Sequence, residues 1–319
     1  MADNNRTRSG SLQFYPRVRA KKMIPFVNWN PLKKEKGLMG FLSYKVGMIS
    51  VFVKDNTPDS LTKGKRIVVP ATLLECPKLR IYSVRFYKKK KIIKEVIVSQ
   101  EKELKRRVKL PKTLGKMPEG ELDFDDIRII AYSQVKTTAI GKKKPDVAEI
   151  GLGGSKEEKL AWVNENLTKE ISIKDTFESG VVDTRAVTKG YGSQGPVKRF
   201  GIALKVSKSE KGQRRPGSLA PWHPARVTFR APQMGQTGFH TRVVYNNSII
   251  KVGNTAEENI NKKQGFHKYG VINNDFIVLA GSIQGPKKRA VLLTSPLRPT
   301  KKQTKKSYEV IELRWSQKL

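Results

Sequence analysis

The stretch GFLSYKVGMISVFVKDNTPDSLTKGKRIVVPATLLECPKLRIYSVRFYKKKKIIKEVIV, residues 40–98, decides the fold. Four β-branched and aromatic runs stand in it: VGMISVFV (46–53), RIVVPATLLE (66–75), IYSVRFY (81–87) and IIKEVIV (92–98). Each has the length of a strand and is bounded by turn-prone or charged residues, so they read as sheet strands. Further along, IRIIAYS (127–133), FIVLAGSI (276–283), AVLLT (290–294) and YEVIELRW (308–315) add more. TRVVYNNSIIKVG (241–253) reads as a hairpin turning at Asn246 and Asn247, because Asn tolerates the positive φ of a tight turn. The best helical stretch is KEEKLAWVNENL (156–167), with Ser155 three residues before Glu158 in capping-box spacing. The predicted fold class is α+β, mostly β with some α.

Outside the strands the sequence is dominated by charge. The 319 residues carry 64 Lys plus Arg against 28 Asp plus Glu, a formal net charge of +36. Like charges destabilise a compact state unless a polyanion neutralises them, so the excess speaks of a partner, with nucleic acid first. An anionic membrane would call for a basic amphipathic helix or a lipid signal, and neither stands in the sequence. No apolar run is long enough to span a bilayer and the N-terminus has no leader pattern, which predicts a cytosolic protein. A single cysteine, Cys76, fits a reducing compartment and reads as a buried structural thiol.

The charge is zoned. Residues 1–37 hold Arg6, Arg8, Arg17, Arg19, Lys21, Lys22, Lys33, Lys34 and Lys36 with almost no apolar period, and read as a tail. Residues 185–242 hold twelve Lys or Arg against the single acid Glu210, and residues 284–306 hold eight basic groups and no acid. Residues 119–183 reverse the sign, with 14 acids against 9 bases, which predicts a surface turned away from a polyanion.

Candidate chemistry is sparse. His223, His240 and His267 lack metal-ligand spacing, so no metal site is expected. The acidic group Glu119, Glu121, Asp123, Asp125 and Asp126 reads as a solvated loop. GLGGS (151–155) lacks the Lys-Ser/Thr ending of a phosphate loop and reads as a turn and helix cap. An RNA-processing enzyme would show a cofactor fingerprint or clustered acid, base and nucleophile; a free regulatory nucleic-acid binder would be soluble alone. The basic segment is more informative. KGYGSQGPVKRFG (189–201) interleaves glycines with Lys189, Lys198 and Arg199, which lets backbone approach phosphates while the cations neutralise them. In GQRRPGSLAPWHPARVTF (212–229), Trp222 and His223 stand between Pro221 and Pro224, flanked by Arg214, Arg215 and Arg226. A stiff aromatic among arginines suits stacking on an unpaired base; the competing reading anchors Trp222 in a local hydrophobic cluster.

The runs VTKGYGSQGPVKRFG, RRPGSLAPWHPARVTF and PQMGQTGFHTRVVYNNSIIKVG resemble the universal large-subunit ribosomal protein three family in its archaeal and eukaryotic form. The likeness extends to GSLQFYPRVRAKK (10–22), GFLSYKVGM (40–48), VPATLLECPKLRIYSVRFY (69–87), LGGSKEEKLAWVNENL (152–167) and GPKKRAVLLTSPLRP (285–299), and is poorest at 54–64 and 99–145. It implies a translation-protein type β-barrel body (40–188 and 243–319), an inserted α-containing part, a basic N-terminal extension (1–39) and a basic central loop (189–242) entering ribosomal RNA. The implied RNA-binding residues of the loop are Lys189, Lys198, Arg199, Arg214, Arg215, Trp222, His223, Arg226, Arg230, Gln236, His240 and Arg242. Those of the extension are Arg17, Arg19, Lys21 and Lys22; those of the C-terminal basic stretch are Lys287, Lys288, Arg289 and Arg298. Trp222 matches the family's tryptophan finger near the peptidyl-transferase region, whereas Glu210 stands where eukaryotic members often have a histidine. The resemblance further implies large-subunit RNA and neighbouring ribosomal proteins as partners, a place in the cytoplasmic ribosome, a part in subunit assembly, no catalysis and no small-molecule substrate. It implies no cofactor beyond the Mg ions of bound RNA.

Overall fold

The computed structural model describes residues 8–118, 123–208 and 212–315, and the β-branched runs become its strands. In chain order these are β1 (Gly37–Leu38), β2 (Gly40–Asp55), β3 (Arg66–Cys76), β4 (Leu79–Lys88), β5 (Lys91–Ile97), β6 (Asp126–Ser133), β7 (Val147–Gly153), β8 (Val181–Val187), β9 (Gly190–Gln194), β10 (Gly235–Gly238), β11 (Thr241–Asn254), β12 (Asp275–Ala280), β13 (Ala290–Thr294) and β14 (Tyr308–Arg314). Helices are few: α1 (Lys156–Asn166), α2 (Pro196–Phe200) and α3 (Lys301–Thr304). The fold is mostly β with some α, as the sequence predicts. The chain divides into two compact units, a body of residues 24–186 with 243–319, and a second unit of residues 1–23 with 187–242.

Two sheets build the body. One runs β13-β8-β11-β12-β3-β2-β14, and β13 also pairs with β2, so six of its strands close into a ring. The 16-residue β2 makes the closure possible. Its first residues pair with β13 (Gly40↔Thr294, Tyr44↔Ala290), its last with β14 (Asp55↔Tyr308), and its other edge with β3. The second sheet runs β1-β7-β6-β4-β5.

Period-two alternation explains why β12 and the second half of β3, residues 71–76, read as nearly unbroken apolar runs: both their faces are buried. On β12, Phe276 and Val278 join one core with Tyr44, Val51 and Leu73, while Ile277 and Leu279 join the other with Leu74, Ile129 and Trp29. Cys76 lies in the second of these cores, fully buried, and burial pushes its thiol pKa well up. That is the structural thiol expected from the sequence.

The capping box forms as its spacing predicts. Ser155 N donates to Glu158 Oε2 (2.7 Å) and Glu158 N donates to Ser155 Oγ (3.3 Å), so both groups are occupied in starting α1. The glycines before it serve packing: a Cβ on Gly153 would stand 2.3 Å from the Lys34 carbonyl oxygen.

Three expectations need correction. Residues 24–39, read as the end of a tail, enter the body, where Val27, Trp29 and Leu32 are buried. Irregular chain places them, so no apolar period announces them. The expected hairpin at Asn246 and Asn247 is instead one continuous strand, β11. Asn246 does take a positive φ of 56°, but within the strand, where its N–H donates to Asp183 Oδ1 at 2.8 Å.

The acidic group, of which Glu119 and Glu121 lie outside the described residues, is no solvated loop at Asp126. That residue starts β6 and pairs with Arg128 (3.1 Å) and Lys159 (2.7 Å). Neighbouring carboxylates are likewise committed internally: Glu149 holds Arg85 (3.2 Å) and Arg128 (3.0 Å), and Glu170 holds Arg80 (2.7 Å) and Lys78 (3.1 Å).

Glu170 yields a pH prediction. The Gln134 side-chain amide (2.9 Å), helped by Arg80 and Lys78, holds its carboxyl at about 2 against an ordinary 4.5. A depressed carboxylate contributes stability that is complete above its unfolded pKa and lost as pH falls through the folded one. Acid unfolding followed between pH 4.5 and 2 is therefore expected to be less steep for Glu170→Gln than for the parent chain. An unchanged slope would remove Glu170 from the account.

Candidate nucleic-acid interface

The second unit contains seventeen Lys or Arg against only Asp3 and Glu210, and both acids lie outside the described residues. Such a segment has little aliphatic material to bury, yet its base is ordered by a different contact. Phe200 closes α2 and is fully buried. Three guanidiniums surround its ring, with Arg17 at 4.3 Å, Arg8 at 4.8 Å and Arg199 at 5.1 Å from the centroid. Guanidinium is weakly hydrated and planar, so it packs on an aromatic face at a smaller desolvation cost than an ammonium.

Hydrogen bonds fix this cage. Arg17 Nη1 donates to Arg199 O (2.8 Å), and Ser9 donates to Phe200 O from both N (2.6 Å) and Oγ (2.7 Å). Arg8 donates to Tyr15 Oη (2.8 Å) and to the Arg230 carbonyl, while Tyr15 meets Phe229 edge-on at 5.6 Å. The N-terminal segment is thus part of the same unit as the central segment, although some 180 residues separate them in sequence.

Above the cage, β9 and β10 pair antiparallel (Gln194↔Gly235, Gly190↔Gly238) with a register shift after Gln236. Gly238, at φ 68°, is required there, since a Cβ would stand 2.1 Å from Lys189 O. The Gln236 side chain closes the shift by donating to Gly238 O at 2.9 Å. Arg199 braces the same ribbon through Gln236 O (3.1 Å) and Gln233 O (2.9 Å). Arg19 lies over Phe239 at 5.2 Å, Arg242 over Phe14 at 4.7 Å, and His240 Nδ1 meets Val18 O at 2.8 Å.

The remaining sequence-derived residues face solvent. Lys189, Lys198, Arg214, Arg215, His223, Arg226 and Arg230 are exposed, as are Arg19, Lys21 and Lys22 of the N-terminal segment. Trp222 is 88% exposed, and its nearest described ring is that of His223 at 6.4 Å, so no local hydrophobic cluster holds it. The ion pairs between described residues, such as those of Asp126 and Glu149, lie in the body.

The C-terminal basic residues belong to the body. Lys287 and Lys288 donate to the carbonyls of His267 (2.8 Å) and Ile140 (3.3 Å), burial lowers the Arg289 pKa, and the Arg298 carbonyl accepts from Asn246 Nδ2 (2.8 Å). No group of three or more His, Cys, Asp or Glu among the described residues stands close enough to hold a metal ion.

Sequence reasoning missed Phe200, Arg8, Tyr15 and Phe239 as framework of the interface. It missed Tyr191 as well, half exposed on β9 with the ammonium groups of Lys189 and Lys198 each 5.7 Å from its ring. The run KGYGSQGPVK carried that last signal, an aromatic between two cations.

The model of the family Ribosomal protein L3 matches residues 1–116 and 88–318. The large ribosomal subunit protein uL3 of Methanococcus vannielii is 42% identical to this chain over 309 residues, covering 92% of each. That of Methanocaldococcus jannaschii is 40% identical over 92% of each chain, and that of Methanobrevibacter smithii 38% over 95% of each.

The cage makes its own prediction. Phe200→Ala should destabilise the second unit by about 3 kcal/mol, the usual scale for emptying a buried phenylalanine site. Hydrogen exchange would show it as faster exchange of the β9 and β10 amides with β2 and β3 unaffected. Phe200→Leu, which restores bulk without a π face, should recover only part. Full recovery by leucine would mean that burial, not the guanidinium contacts, holds the unit.

Proposed function

The chain belongs to the ribosomal protein L3 family, and from that premise we propose that it is a structural constituent of the large ribosomal subunit that binds large-subunit RNA through residues 8–23 and 187–242. It is a ribosomal protein and not an enzyme. The observation that carries the reading is the contrast between the units: the body has carboxylates that neutralise part of its cations, as Asp126 and Glu149 do, whereas the second unit has seventeen Lys or Arg against only two acids, Asp3 and Glu210. A surface with so large an excess of cations is favoured beside a polyanion, and each phosphate it neutralises releases condensed counter-ions.

In this reading Lys189, Lys198, Arg214, Arg215, Arg226 and Arg230 contact phosphates, as do Arg19, Lys21 and Lys22. Arg199, Gln236, His240 and Arg242 shape the ribbon that presents them. Trp222 stacks on an unpaired base, worth about 1–3 kcal/mol in single-strand binders. By analogy with its family this tip reaches the peptidyl-transferase region and organises RNA there, and the ring of strands is a translation-protein type barrel lodged among neighbouring ribosomal proteins. The only metal involved is the Mg of the bound RNA, and the site of action is the cytoplasmic ribosome. Early incorporation into the growing subunit follows from the same contacts.

Two variants separate anchoring from action at the tip. Charge reversal at Lys198, Arg214 and Arg215 should block incorporation into large subunits, scored by sedimentation of tagged protein. Trp222→Ala should incorporate normally and alter tRNA selection or sensitivity to inhibitors of the catalytic centre. Full incorporation of the charge-reversed chain would contradict the electrostatic anchor, and normal behaviour of Trp222→Ala in both assays would contradict the active tip.

A further inference from the structure

Strands β4 and β5 meet at a tip of four consecutive lysines, Lys88–Lys91. The two central residues, Lys89 and Lys90, have positive φ of 46° and 66°. A two-residue turn with both centres in the left-handed region favours Asn-Gly, and a residue with a β-carbon is strained at each such position. Lysine occupies both places nonetheless. The turn is also held rigid from below: Asp125 Oδ2 accepts from Lys89 N (2.8 Å), Asp125 N donates to Tyr87 O (2.7 Å), and Asp123 pairs with the Lys88 ammonium.

The tip differs from the sheet that carries it. Arg80, Arg85 and Arg128, on the same five-stranded sheet, are all in ion pairs. Lys89, Lys90, Lys91 and Lys94 are exposed and make no ion pair among the described residues. On this sheet, therefore, the cations of β4 and β6 are neutralised, whereas those at the preorganised turn and on β5 are not. Lysines on β5 alone would be explained as guards of an open sheet edge, since β5 is the last strand of its sheet. That explanation does not reach Lys89 and Lys90, where Asn-Gly would serve the turn at lower cost.

We propose that the β4–β5 tip is a second RNA anchor, on the body, in which Lys89, Lys90 and Lys91 engage backbone phosphates. Ammonium groups on flexible stems are point charges suited to phosphates rather than to reading base edges. The anchor deepens the RNA-binding reading and rests on it, but it lies in the body rather than in the unit that carries the central loop.

The variant Lys89→Asn/Lys90→Gly tests it, because it installs the residues the turn prefers and should leave the full-length chain at least as stable in a thermal melt. Binding to a transcript of large-subunit ribosomal RNA is titrated over a series of KCl concentrations. Loss of two phosphate contacts should lower the slope of log affinity against log salt by about 1–2 and weaken binding several-fold at low salt. A second measurement needs no variant: amine acylation of Lys89 and Lys90 should be suppressed in assembled large subunits relative to the free chain. Parent-like slope in the variant, or full acylation in the subunit, overturns the anchor. Suppressed acylation with a parent-like slope assigns the tip to an acidic protein neighbour and overturns the RNA assignment. Failure of the parent chain to bind the transcript with any salt dependence would instead overturn the RNA-binding reading itself.

Discussion

The packing of three guanidiniums around Phe200 is the contact on which the second unit depends. An ordinary core lowers free energy by removing aliphatic surface from water. Here the buried ring is one phenylalanine, and the groups closing over it, Arg8, Arg17 and Arg199, carry the charge that defines the surface. Each such contact contributes about 0.5–2 kcal/mol. Mutual repulsion opposes them: the Arg199 pKa is lowered first by burial and then by the nearby charge of Arg17, and Arg242 is affected in the same order. The unit is therefore folded but electrostatically strained. A polyanion would relieve that strain, which is how the local packing bears on the proposed RNA binding.

The body solves the opposite problem. Its two larger apolar cores lie on the two faces of β12 and of residues 71–76 of β3, and the ion pairs of Asp126 with Arg128 and Lys159 tie strand to helix. The net acidity of residues 119–183 is used there: Asp126, Glu149 and Glu170 neutralise arginines and lysines of the same body. On the five-stranded sheet, the turn at Lys89 and Lys90 is where exposed cations stand without a described ion pair.

Strands β2 to β6 were legible because their apolar residues alternate or run unbroken over strand length, and α1 because Ser155 and Glu158 hold the capping spacing. β8 escaped notice since Asp183, Thr184 and Arg185 interrupt it; Asp183 is nevertheless fully buried, accepting from the backbone N–H groups of Asn246 and Leu297. Trp29 escaped because irregular chain places it. At the candidate interface, exposed cations and the proline-flanked Trp222 stood out in the sequence because they are charged or isolated aromatic side chains that do not pack. The cage did not, because its partners come from residues 8–17 and 199–200 and no local pattern links them. Charge alone likewise grouped Arg199 with the exposed lysines, whereas its guanidinium is committed to the carbonyls of Gln233 and Gln236.

The central claim is that the unit of residues 8–23 and 187–242 is the principal RNA-facing part of the chain. Ultraviolet crosslinking of purified large subunits, with the crosslinked peptides identified by mass spectrometry, tests it most directly. The account predicts RNA crosslinks concentrated in these two segments, with Trp222 and Tyr191 among the linked residues. Crosslinks confined to the body, with both segments unlinked, would contradict it.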